Sequence, residues 1–263
     1  MKNKWILMLG MGLLLVFPSY GQKQKGLLTD VHLFQSFFQD APVAKAKFGQ
    51  GAFSYSDYEG GSQITLGAMG GIPINEKIDL QGELHFASFS PEEGDGESGL
   101  TDLGLYGHYK ISQEKNKLLT AGAMMTLPIG KEEIGYGNLN FGAFAAYRTL
   151  LSSGMVLTAT AGLNFYEVTT YSYEVDWFTG EVETKKETDR ETSFRLGGGI
   201  IYPLQKGMNF VGELTLETEV DRMMLSGGID YAMKSGRLRG ALGIGLDDGS
   251  PDLQILAGYL INL

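Results

Sequence analysis

The stretch NFGAFAAYRTL, Asn140–Leu150, alternates: Phe141, Ala143, Ala145 and Tyr147 fall on one parity, and Asn140, Gly142, Ala146 and Arg148 on the other. Side chains of an extended strand point to opposite faces at every second residue, so this segment has one apolar face and one that, Phe144 apart, is small or polar. A buried core and a lipid bilayer both satisfy an apolar face. The rest of the chain decides between them.

Working outward, the same alternation recurs from residue 48 to the end in twelve segments, near 48–57, 62–74, 77–89, 100–112, 117–130, 137–151, 155–169, 192–204, 208–219, 222–234, 237–247 and 252–263. Each is at least as long as the roughly 9 to 11 residues that a tilted strand needs to cross a bilayer. The connections alternate in kind. NE (75–76), QEKN (113–116), SSG (152–154), QKG (205–207) and SG (235–236) are tight turns, whereas PEEGDGES, KEEIGY and the segment from Thr170 to Glu191 are long. Short turns at one end and long loops at the other predict an all-β fold, a transmembrane antiparallel up-and-down β-barrel of 12 strands over residues 48–263, with its short turns in the periplasm.

The turns also predict register. Closing QKG with Gly207 last pairs Leu204 with Met208, Leu196 with Leu216 and Arg195 with Glu217. Closing SSG the same way pairs Tyr147 with Ala159 and Arg148 with Thr158. Apolar faces match across both hairpins.

Composition agrees with a barrel. Gly is 38 of 263 residues and aromatics are 11%, while no cysteine is present to form a disulfide or carry a lipid anchor. The mean hydropathy of −0.06 excludes a bundle of membrane helices. At the N-terminus, MKNKWILMLGMGLLLVFPSYGQ has a basic start, an apolar run from Trp5 to Phe17 and small residues to Gly21, the layout of a cleaved signal peptide over residues 1–21.

Residues 22–47 stand outside the strand series. In LLTDVHLFQSFFQD, Leu27, Val31, Phe34 and Phe38 recur at helical spacing, and Pro42 closes the run. Two readings fit: a short periplasmic or lumen-plugging helix, and a first strand of irregular pattern.

Five segments carry a tyrosine on the apolar face close to a short turn or to the chain end: Tyr109, Tyr147, Tyr202, Tyr231 and Tyr259. A ring in the lipid edge with its hydroxyl among headgroups is favoured, so these form an aromatic girdle against outer-membrane lipid. By parity the opposite, inward face carries Glu83, His85, Asp102, His108, Arg148, Arg195, Glu213, Glu217, Asp230 and Arg239, the candidate lumen-lining residues, together with Asp79, Tyr106, Lys110 and Arg237. Charges facing lipid at mid-depth cost about 2–4 kcal/mol each, so their common parity supports an aqueous or hydrogen-bonded interior. Asp79 is expected across from Lys110, and Arg195 across from Glu217.

Catalytic signals are weak. His32, His85 and His108 are the only histidines, and His85 and Ser88 have opposite parity, so they cannot share a face. No metal-ligand spacing and no cofactor motif appears; LDDGSPD (246–252) reads as a solvated turn in preference to a calcium loop. No basic patch interleaved with aromatics points to nucleic acid. The net charge is −10, and the long loops hold Glu92, Glu93, Asp95, Glu97, Glu132, Glu133, Asp176, Glu181, Glu183, Asp247 and Asp248. An acidic mouth repels anions and concentrates cations at low salt; ordinary loop solvation is the first explanation of these charges, and a bridge to lipopolysaccharide through divalent cations the second.

Two resemblances follow from quoted residues. DLQILAGYLINL (252–263) resembles the closing strand of bacterial outer-membrane barrels, which the barrel-assembly machinery reads, although Leu263 stands where Phe is usual. GLTDLGLYGHYKI, LLTAGAMMTLPIG and GYGNLNFGAFAAYRTL, with the resemblance clear over about 99–165, are similar to the outer-membrane family named after the meta-pathway of phenol degradation. That resemblance implies transport of small, sometimes aromatic compounds. The expectation is a channel or transporter for small solutes in the cell outer membrane, not an enzyme. The alternatives are a non-transporting barrel that presents its long loops, with Trp177 and Phe178 in the longest, for surface interaction, or an outer-membrane enzyme.

Overall fold

The computed structural model describes residues 26–131, 134–135, 137–175 and 182–263. The signal-peptide segment lies outside the described residues, as do Glu132, Glu133, Asp176, Trp177, Phe178 and Glu181. The strands are β1 (Phe48–Tyr58), β2 (Gly61–Pro73), β3 (Ile78–Pro91), β4 (Glu97–Leu100), β5 (Leu103–Gln113), β6 (Lys117–Leu127) and β7 (Asn140–Leu150). They continue as β8 (Val156–Val175), β9 (Val182–Gln205), β10 (Met208–Glu217), β11 (Arg222–Ala232), β12 (Gly236–Gly245) and β13 (Leu253–Asn262).

Every neighbouring pair is antiparallel, and the sheet closes because β1 bonds both β2 and β13 while β2 bonds β3. The short β4 and β5 are one barrel strand interrupted at Thr101–Asp102, both pairing with β3, so the barrel has twelve strands. Among the described residues, each strand of the closed wall is paired on both sides, which a chain must achieve wherever no water can bond its backbone.

Outward and inward faces alternate as the opening stretch predicts. Within β7, Phe141 and Tyr147 are exposed whereas Asn140 and Arg148 are buried. Phe53, Leu66, Leu163, Leu196, Leu225 and Leu242 are likewise exposed on the outer wall. A continuous apolar belt around a closed barrel has lipid as its solvent, so this is an outer-membrane β-barrel. Tyr109, Tyr147 and Tyr231 are exposed on that wall and Tyr202 and Tyr259 half-buried, with the Tyr259 hydroxyl 2.7 Å from Ser235 Oγ.

The belt makes a depth-dependent expectation. Leu225 lies six residues from Tyr231, about 14 Å along the barrel axis for a strand tilted near 45°. Leu225→Arg should therefore destabilise the barrel by about 2–4 kcal/mol, and Leu246→Arg at a loop by about 0–1 kcal/mol, in urea titrations of protein in lipid. Equal costs at the two positions would argue against the membrane placement.

Register agrees with the turn reading in the strand bodies and departs from it at specific places. Tyr147 faces Ala159, Leu216 faces Leu196, and Glu217 faces Arg195. At QKG, however, Met208 pairs with Gln205 and not Leu204, and a bulge restores the expected register from Pro203↔Asn209 onward; Gly207 takes φ +80°. Asp79 faces His108, not Lys110, whose N–H instead bonds the Lys77 carbonyl at 2.7 Å beyond the end of β3. No tight turn joins β3 to β5, so nothing local fixed that register. The segment from Thr170 to Glu191, expected as a loop, continues the β8–β9 ladder to Val175↔Val182.

Residues 26–47 run inside the barrel. They form neither the expected helix nor a strand: the only helical element is a single 3-10 turn over Phe37–Gln39. Leu27, Leu28, Val31, Leu33 and Ala41 pack on Leu118, Ala146, Val156, Ile201 and Val211, which face inward near the short turns. The helical spacing of apolar residues thus serves a compact coil whose backbone bonds go to the wall.

Candidate functional site

The lumen is organised by polar wall residues that satisfy the backbone of this inner segment. A coil lacks its own ladder, and each buried N–H or carbonyl left unpaired costs about 1–3 kcal/mol. The wall supplies the partners. Glu213 accepts the N–H groups of Phe34, Gln35 and Ser36 at 2.9, 2.8 and 2.8 Å. Arg148 donates to the carbonyls of Leu28 and Val31 at 3.1 and 2.7 Å, and Arg239 to those of His32 and Leu33 at 2.7 and 2.8 Å. Thr120 Oγ1 donates to the Ala41 carbonyl at 2.6 Å, and Asp79 accepts from the Ala44 N–H at 2.5 Å.

One ion pair joins segment and wall directly. Asp40 and Arg148 are both fully buried, with Arg148 Nε 3.0 Å from Asp40 Oδ1 and Nη2 on Oδ2. Asp40 also accepts the Leu33 N–H at 3.0 Å.

His108 holds a second junction. Its Nδ1 lies 2.8 Å from Asp79 Oδ1 and its Nε2 2.8 Å from the Phe38 carbonyl oxygen. Both partners are oxygens, one on the wall and one on the inner segment, so the ring bridges the two.

Asp230 bonds Arg237 and lies 3.2 Å from Arg239 Nε, an ion contact without hydrogen-bond alignment. The Arg239 guanidinium in turn covers the rings of Phe34 and Phe37, 4.7 and 5.2 Å from their centroids. On the inner segment, burial foremost, and then the positive charge of Arg239 and Arg148, holds the His32 imidazole well below its ordinary pKa and so neutral.

Small wall residues make room for this segment. A methyl added at Gly199 would meet Leu33 Cδ2 at 2.9 Å and the Gly212 carbonyl oxygen at 2.7 Å. Toward the long-loop end the lumen stays open as a cavity of about 360 Å³, with Phe34–Gln39 as floor and Gln50, Ser56, Gln63, Glu83, His85 and Gln254 among its walls.

The sequence-predicted lumen residues thus divide. His108, Arg148, Glu213, Asp230 and Arg239 are buried against the inner segment or one another. Glu83, His85 and Arg195 reach the open cavity. Glu217 turns aside to accept from Tyr166 Oη and from Asn164 Nδ2. Asp102 sits at the strand break and accepts the Gly130 N–H at 3.1 Å, holding a loop instead of lining the cavity.

The expected Arg195–Glu217 ion pair is absent despite the matching register, because Arg195 Nη2 donates to the Gln35 carbonyl at 2.9 Å. Asp40, the charge that matters most to the inner segment, was missed by a strand-parity reading because it lies outside every strand. Its signal was an acidic residue, one of two in the segment with Asp30, next to which no basic partner stands in sequence.

No protein-family model matches the chain, and no curated protein matches it. Among solved structures it is similar to the COG4313 outer membrane channel from Pseudomonas putida F1, with 15% identity, a TM-score of 0.63, and 88% of this chain and 100% of that one covered. The KdgM porin in complex with disordered oligogalacturonate aligns at 11% identity and TM-score 0.53, over 81% of this chain and 99% of that one. The translocator domain of autotransporter NalP from Neisseria meningitidis aligns at 11% and 0.51, over 86% and 91%. At these identities the likeness concerns the fold, a membrane barrel of this size.

Proposed function

We propose that the chain is an outer-membrane channel for small solutes, closed by its own residues 26–47 at the short-turn, periplasmic end. The observation that carries the reading is a lumen wide enough to house a peptide that belongs to no strand. Narrow barrels are filled by side chains of their own strands, whereas here wall positions such as Gly199 are kept small and charged groups point inward. A conduit stoppered by hydrogen bonds and ion pairs can be opened, and one filled by its own strands cannot. Two of the similar barrels are a channel and a porin, and the resemblance of residues 99–165 to the family named after phenol degradation adds aromatic compounds as the solute class.

A catalytic reading has less support. His108 is held between a carboxylate and a carbonyl, and His85 lies 3.2 Å from Glu83, so neither is set against a hydroxyl nucleophile. A surface-presentation role draws on one observation, the β8–β9 hairpin, which continues from Tyr166↔Glu191 to Val175↔Val182 past the ends of β7 and β10.

Planar bilayers separate these readings. The full chain should give small or infrequent conductance steps, and the same barrel without residues 26–47 should give larger ones. If neither form conducts, and liposomes containing them do not swell in small sugars or aromatic acids, the channel reading is wrong.

A further inference from the structure

The open cavity is aromatic at its floor and one-sided in charge. Phe38 stacks on Tyr106 with ring centroids 4.4 Å apart, and Phe37 meets Phe38 edge-on at 5.0 Å. Arg195, Arg222 and Arg239 reach the cavity against one carboxylate, Glu83. Glu83 is already engaged, accepting the Tyr106 hydroxyl at 2.5 Å and lying 3.2 Å from His85 Nε2. Arg239 is engaged as well, through two carbonyls and Asp230.

Arg195 and Arg222 differ. They flank Glu217 in the ladder, one on each side, so its carboxylate is in place to neutralise either of them. Glu217 instead takes the Tyr166 hydroxyl and the Asn164 amide. Arg195 gives one bond to the Gln35 carbonyl, and Arg222 makes a weak 3.6 Å contact with the Met224 sulfur. Among the described residues neither guanidinium has a carboxylate partner. Two half-buried guanidiniums facing one cavity present planar donor forks, the geometry that matches a carboxylate.

We infer that this cavity binds a small organic monoanion with a flat apolar or aromatic body, its carboxylate held between Arg195 and Arg222 and its body laid over Phe37, Phe38 and Tyr106. The inference rests on the channel reading and names its solute class. A cavity of about 360 Å³ has ample room for such a molecule, so the paired guanidiniums, and not the space, set one site per cavity. The acidic long loops favour cations at the mouth, but loop charges are screened by salt within about 10 Å, whereas the cavity guanidiniums touch the bound solute.

Benzoate is the probe, titrated calorimetrically into the full chain in detergent micelles at about 0.1 M salt, where the loop charges are screened. It should bind once per barrel and about tenfold more tightly than benzamide, which has the same ring without the charge. Arg222→Gln removes no contact to the inner segment and should lower benzoate affinity about tenfold. Equal affinity for benzoate and benzamide, benzoate binding unchanged in R222Q, or no binding of either probe by folded wild-type protein would overturn the site. Conductance is read separately. A barrel that conducts without binding benzoate loses this site and keeps the channel, and one that binds benzoate without ever conducting keeps the site and loses the channel.

Discussion

Replacing Arg148 with alanine is expected to release residues 26–47 from the barrel wall. Arg148 is fully buried and closes four contacts at once: two to the Asp40 carboxylate and two to the carbonyls of Leu28 and Val31. Its loss leaves Asp40 as an unpaired buried charge, and breaking such a pair from one side costs about 3–5 kcal/mol. The barrel ladder does not depend on this pair, so the cost should fall on docking of the segment. Limited proteolysis from the short-turn side should cut the segment in R148A and spare it in the wild type, and conductance should rise. The double variant Asp40→Asn, Arg148→Gln should cost less than the sum of its single changes, because neither partner is then left as an uncompensated charge. Unchanged protection of the segment in R148A would show that the apolar packing on Leu118, Val156, Ile201 and Val211 holds it without the ion pair.

The second large effect is expected at Glu213. Its two carboxylate oxygens accept three consecutive backbone N–H groups, those of Phe34, Gln35 and Ser36, at the turn that forms the floor of the cavity. Glu213→Ala strands all three, at about 1–3 kcal/mol for each that water cannot reach. Water enters readily only from the cavity side, so a net loss of about 2–5 kcal/mol in docking of the segment is expected. Amide hydrogen exchange at residues 34–36 reads this directly. Exchange should be fastest in E213A and intermediate in Glu213→Gln, which keeps one acceptor oxygen. Exchange in E213A as slow as in the wild type would mean that other groups take over the three donors, and that Glu213 does not position the turn.

Residues near each other in sequence carried most of the architecture. In Asn140–Leu150 the two-residue alternation alone separates Phe141 and Tyr147, which meet lipid, from Arg148, which does not. At two hairpins the strand ends followed from turn residues, since Gly154 and Gly207 take φ +86° and +80° there, whereas the far ends of β8 and β9 did not. Charge parity put Arg148, Glu213 and Asp230 on the face turned from lipid, and all three are buried. One further signal was available and unread: Leu118, Val156, Ile201 and Val211 have inward parity close to the short turns, and an apolar patch facing a lumen implies something apolar inside it.

Alternation, turn chemistry and charge parity are short-range properties, and by themselves they determined the number of barrel strands, their two faces, the register within the hairpin bodies and the membrane as solvent. The tertiary structure alone decided what occupies the lumen and which charges meet. Asp40 and Arg148 are 108 residues apart, and Glu213 and Ser36 are 177 apart. No local rule selects among several inward partners at such separations. The choice falls to closure of the barrel, which brings the opposite walls within reach of one short coil and leaves each buried N–H, carbonyl and charge to find its partner there.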